Sequence, residues 1–363
     1  FWLKALARSF VSVVQVYTKL VCIQSSEMPA RTALEETSAK GEFKRKDSVY
    51  RNFIEKGGRF EPEKDRYHLY VALACPWADG TLAAIRLKGL EDCIGYSATH
   101  PTWQKTKTDP EDKHCGWVFK SPGDAPIPSS AGYGSFECDD QCVPDSVNGC
   151  ASIREVYEKS KDTEGKYTTP ILWDKKEGCI VNNESTEILR MINDQFQDFA
   201  KHPEVDLFPA DLQEACKAAN EWIYHNINNG VYRCGLSQSQ EAYDEAVKGL
   251  FEHLDKAEDI LSKQRYIAGD RFTWMDLRLF MTLIRFDEVY VVYFKCNKGT
   301  IQDNYPNLLA FCKDIHQTHG VPIAMKHIKM HYFSSHPTLN AYSVIPAGRT
   351  VDFTTPHGRE KLS

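Results

Sequence analysis

The hydrophobic periodicity of this 363-residue chain changes near its middle, and the change limits the folds that are open to it. Before the proline-containing segment His202–Pro209, short runs of apolar residues predict β-strands with amphipathic helices between them. After this segment, apolar residues recur at helical spacing almost throughout. We therefore predict an α/β region followed by an all-helical region, with the boundary near residues 195–210.

The first half predicts the order strand, helix, strand, helix, hairpin, helix, with turn residues setting the bounds. The predicted elements are a strand over Tyr67–Ala74, a helix over Pro76–Lys88, a strand over Cys93–Thr99, a helix over Ser152–Lys159, a hairpin of Thr168–Trp173 and Cys179–Asn182, and a helix over Glu184–Asn193. Residues 101–150 are rich in Gly, Pro, Asp and Ser and lack sustained periodicity, which predicts a long insertion.

Four helices are predicted in the second half, and the third begins at a capping signal. Thr273 stands where an N-cap is expected, and Asp276 can reach back to its backbone, as in a capping box. The four predicted helices are Asp211–Asn229, Gln240–Lys263, Trp274–Tyr293 and Asn307–Thr318.

Charge and cysteine usage exclude some classes of protein. Lys and Arg number 44 against 50 Asp and Glu, so the net charge of −6 argues against nucleic acid as the main partner. Twelve cysteines are spread along the chain without a CxxC pair, which predicts a reducing, cytoplasmic setting. Cys138, Cys142 and Cys150 have no histidine in their stretch, so we predict free thiols there rather than zinc, and no metal cofactor.

The first 40 residues form an N-terminal extension in this prediction. Residues 1–26 carry Lys4, Arg8 and Lys19 and no acidic residue, which is typical of a mitochondrial targeting segment. The alternative is that Met28 is the true start of the protein. The apolar stretch within residues 1–26 is shorter than the roughly 20 residues that a membrane-spanning helix needs, so no membrane association is predicted.

Cys75 is the cysteine whose predicted position changes its chemistry. It lies between a buried strand and the first turn of a helix, where unpaired N–H groups and the helix dipole stabilise a thiolate. Pro76 fixes the turn and removes one of these N–H groups, leaving the later amides free. The alternative is an inert, buried structural cysteine.

Two further elements predict a binding site for a peptide-like thiol. Pro170 stands at the start of a strand, where a cis peptide bond would turn the backbone groups of Thr169 toward a ligand. Glu184 and Ser185 open a helix, where Ser185 can act as the cap and the amides suit a carboxylate. Helix capping alone is the alternative for this pair.

These elements occur within a set of motifs that runs through both halves of the chain. The motifs are RYHLYVALACPWADGTLAAIRLKGLED, TTPILWDKKEGCIVNNESTEILRMIN, DLRLFMTLIRFDEVYVVYFKCN, NYPNL and HIKMHYFSSHPTLN. Over about residues 40–350 the chain resembles the Xi-class glutathione transferases, the glutathionyl-hydroquinone reductases. The resemblance implies a thioredoxin-like domain over residues 41–200, an all-helical domain over 201–330, a tail over 331–363, a homodimer and glutathione as co-substrate.

The resemblance also implies roles for individual residues. Cys75 matches the nucleophile of the CPWA motif, and Tyr232 matches the catalytic tyrosine. Tyr290 and Tyr332 match hydroxyls of the hydroquinone pocket that stabilise the thiolate. The residues that match glutathione-binding positions are Trp117, Lys166, Thr168, Thr169, Pro170, Glu184 and Ser185.

Four positions depart from the family pattern. Thr169 stands where the family usually has Val, a change that keeps the backbone contacts. Asp79 and Gly80 replace the His-Arg of CPWAHR, and an inward-facing Asp79 would oppose a thiolate at Cys75. Phe333 replaces the second tyrosine of the family's His-Tyr-Tyr, which removes a pocket hydroxyl if that tyrosine supplies it.

The implied activity is reduction of S-glutathionyl hydroquinones to hydroquinones through a mixed disulfide between Cys75 and glutathione. Two alternatives stay open at this point. One is a general glutathione-dependent thiol transferase or dehydroascorbate reductase. The other is a non-catalytic glutathione- or quinone-binding protein that kept the fold, with the Asp79–Gly80 change marking lost catalysis.

Overall fold

A computed structural model describes residues 36–362 and contains a four-stranded mixed sheet followed by helices. The predicted targeting segment and Met28 lie outside the described residues. The sheet has the order β2-β1-β5-β6, in which β1 pairs parallel with β2 and antiparallel with β5. The strands are β1 (Tyr67–Val71), β2 (Gly95–Ala98), β3 (Gln104–Lys105), β4 (Cys115–Gly116), β5 (Ile171–Asp174) and β6 (Cys179–Asn182).

Within residues 36–362, eleven α-helices surround and follow the sheet. They are α1 (Pro76–Leu87), α2 (Ile153–Lys159), α3 (Ser185–Gln195), α4 (Gln213–Ile223), α5 (Gly230–Gly235), α6 (Gln240–Leu261), α7 (Trp274–Leu283), α8 (Val291–Tyr293), α9 (Ile301–Asn304), α10 (Pro306–Thr318) and α11 (Met325–Ser334). We refer to 67–195 as the sheet region and to 213–334 as the helical region. Among residues 36–362, no helix is both long and apolar enough to cross a membrane.

Strand β1 is buried on both faces because each face supports a separate apolar core. Tyr67, Leu69 and Val71 point into the larger core, which continues into the helical region. Tyr70 points into a smaller core against α2 on the other face. The alternating face predicted for Tyr67–Ala74 is confirmed, although the strand ends at Val71 because Ala72–Cys75 form a turn with the Cys75 N–H donating to the Ala72 carbonyl at 2.9 Å.

Two of the predicted long helices are interrupted by π-helical turns. Residues 224–228 separate α4 from α5, and residues 286–290 separate α7 from α8. Asn228, in the first turn, donates to the Thr282 hydroxyl at 2.7 Å and ties this turn to α7. The predicted helices over 211–229 and 274–293 are therefore corrected to broken helices.

The capping box at the start of α7 is confirmed. The Asp276 carboxylate accepts from the Thr273 N–H at 2.9 Å and from the Thr273 hydroxyl at 2.7 Å. These contacts are fully buried, so the cap also satisfies polar groups inside the core.

The insertion over 101–150 carries β3 and β4 and runs from the edge of the sheet to helix α11. A backbone bridge between Ala98 and Val143 attaches it to β2. The Thr102 and Ser334 hydroxyls hydrogen-bond at 2.7 Å, which attaches it to α11. Helix α11 was not predicted as an element, and it crosses residue 331, the predicted start of the tail.

Candidate active site

Cys75 is the N-cap residue of α1, with Pro76 at the first helical position. The half-buried thiol opens onto a cavity of about 140 Å³, which we call the thiol cavity; its wall includes Cys75, Trp117, Thr169, Tyr232 and Tyr332. Because Pro76 has no N–H, the free amides of the first turn begin at Trp77. The Cys75 sulfur therefore lies at the N-terminal end of α1, where the helix dipole is positive.

The peptide bond between Thr169 and Pro170 is cis, as predicted. The Cys75 thiol donates to the Thr169 carbonyl at 3.6 Å, so the backbone before the proline borders the nucleophile. The Tyr157 hydroxyl donates to the Thr168 carbonyl at 3.1 Å and holds this segment from below. The backbone here can pair with a peptide backbone laid against it.

Three tyrosine hydroxyls from separate elements of the helical region form a connected cluster. The hydroxyl oxygens of Tyr232 and Tyr332 are 2.7 Å apart, and those of Tyr290 and Tyr332 are 3.2 Å apart. Tyr232 and Tyr332 line the thiol cavity, whereas Tyr290 is fully buried and reaches the cavity through Tyr332. Phe333 packs edge-on against Tyr293, with ring centroids 5.1 Å apart, so its lack of a hydroxyl does not affect this cluster.

Burial keeps these phenols protonated. It raises the pKa of Tyr232, and the neighbouring Cys75 raises it further. Burial also raises the pKa of Tyr290 and Tyr332 well above the ordinary value for tyrosine, while the nearby Arg285 cation partly opposes this shift. At neutral pH the cluster therefore offers O–H donors beside Cys75.

Trp117 forms one wall of the thiol cavity. Its ring stacks on His331 with centroids 4.3 Å apart, and the edge of Trp103 packs against it at 5.6 Å. His331 donates from Nδ1 to the Pro101 carbonyl at 2.9 Å, and burial lowers its pKa well below the ordinary value, so the ring is neutral. No local sequence signal indicates that His331 belongs to this wall.

A second cavity of about 290 Å³, which we call the charged cavity, adjoins the first and is lined by Lys166, Glu184 and Ser185. Glu184, not Ser185, is the N-cap of α3, because its side chain accepts from the Thr186 N–H at 3.3 Å. The prediction of Ser185 as the cap is therefore wrong, which leaves the Ser185 hydroxyl at the cavity. The Lys166 ammonium pairs with Glu36 at the same cavity.

The structure gathers the predicted site residues around these two joined cavities. Tyr290 is the exception, since it stands behind Tyr332. The predicted residues that line one or both cavities are Cys75, Trp117, Lys166, Thr168, Thr169, Pro170, Glu184, Ser185, Tyr232 and Tyr332.

Arg45 and Arg278 are site residues that sequence reasoning missed. The Arg45 guanidinium lies 5.5 Å from the ring centre of Trp77 and 5.4 Å from that of Tyr232, and Arg45 lines both cavities. Arg278 lies 4.4 Å from the Tyr224 ring and lines the charged cavity. Arg45 belongs to the charged stretch before β1, which carries no periodic signal that points to a site.

Asp79 faces inward, but an arginine of the helical region balances its charge. The Arg285 guanidinium donates to the Asp79 carboxylate at 2.8 Å, and both side chains are almost completely buried. The charge of Asp79 is therefore matched before it can act on Cys75, and the predicted conflict with a thiolate does not arise. The packing does not require glycine at position 80, because a Cβ there would meet the Met281 side chain at an ordinary 3.7 Å.

The cysteine-containing stretch of the insertion lies beside a histidine from α11. Asp139, Cys142 and His327 offer possible ligand atoms within 4.8 Å of one another. However, His327 Nε2 already donates to Asp139 at 2.7 Å, and the Lys326 ammonium lies 3.1 Å from the same carboxylate. Burial raises the pKa of Cys142 to about 12, which favours the thiol. These contacts fasten the insertion to α11, and we assign no metal to them.

Comparison with known proteins places both halves of the chain. The family model of the glutathione S-transferase N-terminal domain matches residues 74–195, and that of the C-terminal domain matches residues 240–314. The glutathionyl-hydroquinone reductase YqjG of Escherichia coli is 41% identical over 334 residues, covering 89% of this chain and 94% of the relative. The glutathionyl-hydroquinone reductase PcpF of Sphingobium chlorophenolicum is 40% identical over 314 residues, covering 86% and 91%.

Solved structures agree with these relatives. The glutathione transferase Xi from Phanerochaete chrysosporium superposes with a TM-score of 0.76 at 39% identity, covering 86% of this chain and 99% of that one. The glutathione-bound structure of YqjG from Escherichia coli superposes with a TM-score of 0.76 at 40% identity, covering 86% and 96%.

Proposed function

The chain belongs to the Xi-class glutathione transferases, the glutathionyl-hydroquinone reductases, and we propose that it reduces S-glutathionyl hydroquinones through a mixed disulfide on Cys75. One observation carries the assignment of the nucleophile. Among residues 36–362, Cys75 is the only cysteine that both lines the thiol cavity and caps a helix, and Tyr232 lines the same cavity. A nucleophile and a proton donor therefore face one space.

The first step breaks the carbon–sulfur bond of the substrate. The Cys75 thiolate attacks the glutathione sulfur, a sulfur–sulfur bond forms, and the electron pair of the broken bond goes to the hydroquinone carbon. Tyr232 supplies the proton that this carbon takes up, because burial raises the pKa of Tyr232 and keeps its proton available. The Tyr332 hydroxyl is hydrogen-bonded to that of Tyr232 and can return a proton to Tyr232 through the cluster.

The second step regenerates the enzyme. The thiolate of a second glutathione attacks the glutathione sulfur of the mixed disulfide, and Cys75 leaves as thiolate. The proton released by this glutathione replaces the one given to the hydroquinone. Overall, one glutathionyl hydroquinone and one glutathione give one hydroquinone and one oxidised glutathione, so no second catalytic cysteine is required.

We assign the peptide backbone of glutathione to the Thr169–Pro170 segment and its γ-glutamyl end to the charged cavity. The Thr169–Pro170 segment and the start of α3 line this cavity, which supports the placement. Trp117 lines the thiol cavity and Lys166 lines both cavities, so these two side chains would cover the bound glutathione.

Mass spectrometry tests the proposal directly. With glutathionyl-menadiol and no free glutathione, we expect one glutathione attached at Cys75 and one hydroquinone released per protein. Free glutathione should then remove the adduct and produce an equal amount of oxidised glutathione. Turnover without an adduct at Cys75, or no turnover at all, would contradict the mechanism.

A substrate comparison separates this activity from general thiol transfer. We expect a kcat/KM for glutathionyl-menadiol that exceeds the values for a small glutathione mixed disulfide and for dehydroascorbate, because the thiol cavity is lined with aromatic rings suited to a quinol ring. The reverse order of kcat/KM would favour a thiol transferase. Glutathione binding without turnover of any of the three would favour a binding protein.

We further propose a homodimer in a reducing compartment such as the cytoplasm. Every cysteine within the described range is a free thiol, which supports the compartment. Membership of the class supports the dimer. Light scattering during size-exclusion chromatography tests the homodimer. A molar mass of one chain at micromolar concentration would contradict it.

A further inference from the structure

Arg285 crosses the boundary between the sheet region and the helical region immediately beside the nucleophile. It lies between α7 and the π-helical turn, and its side chain is completely buried. The guanidinium donates to the Leu73 carbonyl at 2.9 Å and to the Ala74 carbonyl at 3.2 Å. These are the two residues that precede Cys75, so the side chain holds the end of the turn that presents the thiol.

The same guanidinium holds the chain on the other side of Cys75. It donates to the Asp79 carboxylate at 2.8 Å, and the Asp79 N–H donates to the Cys75 carbonyl at 2.9 Å. A further hydrogen bond from the guanidinium to the Met281 carbonyl, at 2.5 Å, fixes the side chain to α7. Cys75 is thus held from both sides by one rigid, planar group that belongs to the helical region.

The backbone of Arg285 holds the tyrosine cluster. Its carbonyl accepts from the Tyr290 N–H at 3.2 Å within the π-helical turn. The Tyr290 hydroxyl in turn contacts Tyr332, whose hydroxyl bonds to Tyr232. One residue therefore connects the backbone around Cys75 to the donors across the cavity.

We propose that Arg285 is a positioning residue, locked by Asp79, which sets the distance and direction between the Cys75 thiol and the tyrosine hydroxyls. This inference rests on the proposed function, since it concerns the geometry of that reaction. The Asp79 carboxylate keeps the Arg285 guanidinium in place and balances its positive charge, because a buried charge needs a partner. The Asp-for-His departure in the CPWA motif is then a compensated feature of this chain and not a sign of lost catalysis.

The test compares Arg285→Lys with Arg265→Lys. Lysine keeps the charge but cannot hold two carbonyls and a carboxylate in the arginine geometry. Arg265 forms a similar pair with Asp314 in the helical region, at 2.7 and 2.8 Å, and neither residue lines the two cavities. Arg265→Lys therefore reports the effect of weakening an arginine–aspartate pair that does not touch Cys75.

We expect Arg285→Lys to lower kcat for glutathionyl-menadiol by about a hundredfold, because a misplacement near 1 Å has an effect of this size. The KM for glutathione and the rate of Cys75 alkylation by iodoacetamide should stay close to wild type, since neither needs alignment with the tyrosines. Arg265→Lys should leave kcat unchanged. Equal kcat in the two variants, or a loss in Arg285→Lys that only follows the folded fraction, would overturn the inference.

A second variant keeps the inference testable if Arg285→Lys does not fold. Asp79→Glu preserves the ion pair but moves its carboxylate by one methylene, so it should lower kcat with little change in the KM for glutathione. Wild-type kcat in Asp79→Glu would refute the locking role. A wild-type protein that turns over without a Cys75 adduct would instead refute the proposed function, so the two failures are distinguishable.

Discussion

The two sides of the thiol cavity hold their reactive groups in different ways. On the side of the sheet region, each group is positioned by the backbone next to it in the chain. Cys75 caps the helix that follows it, and the Thr169 carbonyl belongs to the cis peptide bond before Pro170. On the side of the helical region, the hydroxyls of Tyr232, Tyr290 and Tyr332 come from α5, a π-helical turn and α11. Their arrangement exists only after these elements pack.

This difference divides the chemistry between the two regions. Backbone groups and a helix end are suited to hold a peptide and stabilise a thiolate, and they act in the ground state. The phenols are suited to deliver a proton, and they matter most in the transition state. Changes on the sheet side should therefore affect binding and bond formation, whereas changes on the helical side should affect kcat.

Cys75→Ser gives the strongest test of the sheet side. We expect turnover of glutathionyl-menadiol to fall by about a thousandfold or more, because serine forms no mixed disulfide. Glutathione binding and the thermal unfolding midpoint should change little, since the hydroxyl fits the same half-buried position. Retained reduction of glutathionyl-menadiol would remove Cys75 as the nucleophile. Cys179→Ser, a half-buried cysteine on β6 away from both cavities, is the control.

Tyr232→Phe gives the corresponding test of the helical side. Removal of the phenolic proton donor should lower kcat about a hundredfold while leaving the KM for glutathione near wild type. Tyr243→Phe is the matched control, because the Tyr243 hydroxyl donates to the Lys295 carbonyl at 2.7 Å and lies outside the cavity. Equal kcat values in the two variants would exclude Tyr232 as the donor.

The contrast also explains how much the sequence could predict. The strand, the turn and the helix around Cys75 are encoded within about 20 consecutive residues, by alternating burial, a Cys-Pro pair and the closing Gly89 at φ 63°. Local propensity and pattern suffice for such a segment. The role of the tyrosines came from the resemblance alone, because no local pattern brings residues 232 and 332 together.

The errors follow the same division. Nearly every residue of α7 and of the π-helical turn is buried, so the periodicity over 274–293 does not show where Arg285 and this turn interrupt the predicted helix. Helix α11 carries His327, His331 and Ser334 on buried positions. Each pairs with a residue of the insertion, and this hides its amphipathic pattern. Sequence reasoning failed where polar groups are buried by partners that are distant in the chain.

Ser185→Ala has a smaller expected effect, confined to binding. Loss of one hydrogen bond to a charged end of glutathione should raise the KM for glutathione about tenfold and leave kcat unchanged. Thr186→Ala, the next residue of α3 but outside the lining of both cavities, should match wild type. A lower kcat in Ser185→Ala would show that the glutamyl end also aligns the reacting sulfur. It would contradict the assignment of binding to this part of the site and of kcat to the helical side.

His68→Gln should leave turnover at pH 7 unchanged and tests whether the two regions unfold together. Burial lowers the pKa of His68, on β1, to about 4, below the ordinary 6.5. His68 therefore does not lower the free energy of unfolding above pH 6.5. This free energy decreases as the pH falls from 6.5 toward 4, because His68 then takes up a proton in the unfolded chain but not in the folded one. At pH 5 this loss is about 2 kcal/mol in wild type and absent in the variant, because glutamine does not titrate.

The helical region dominates the far-ultraviolet circular dichroism, although His68 belongs to the sheet. One apolar core contains Leu69 of β1 together with Leu250 of α6 and Leu277 of α7, so we expect a single cooperative transition. Between pH 7 and pH 5, the midpoint measured by this signal should then fall less in His68→Gln than in wild type. Equal falls would mean that the helical region unfolds independently, and that the two sides of the cavity are joined more loosely than the Arg285 contacts imply.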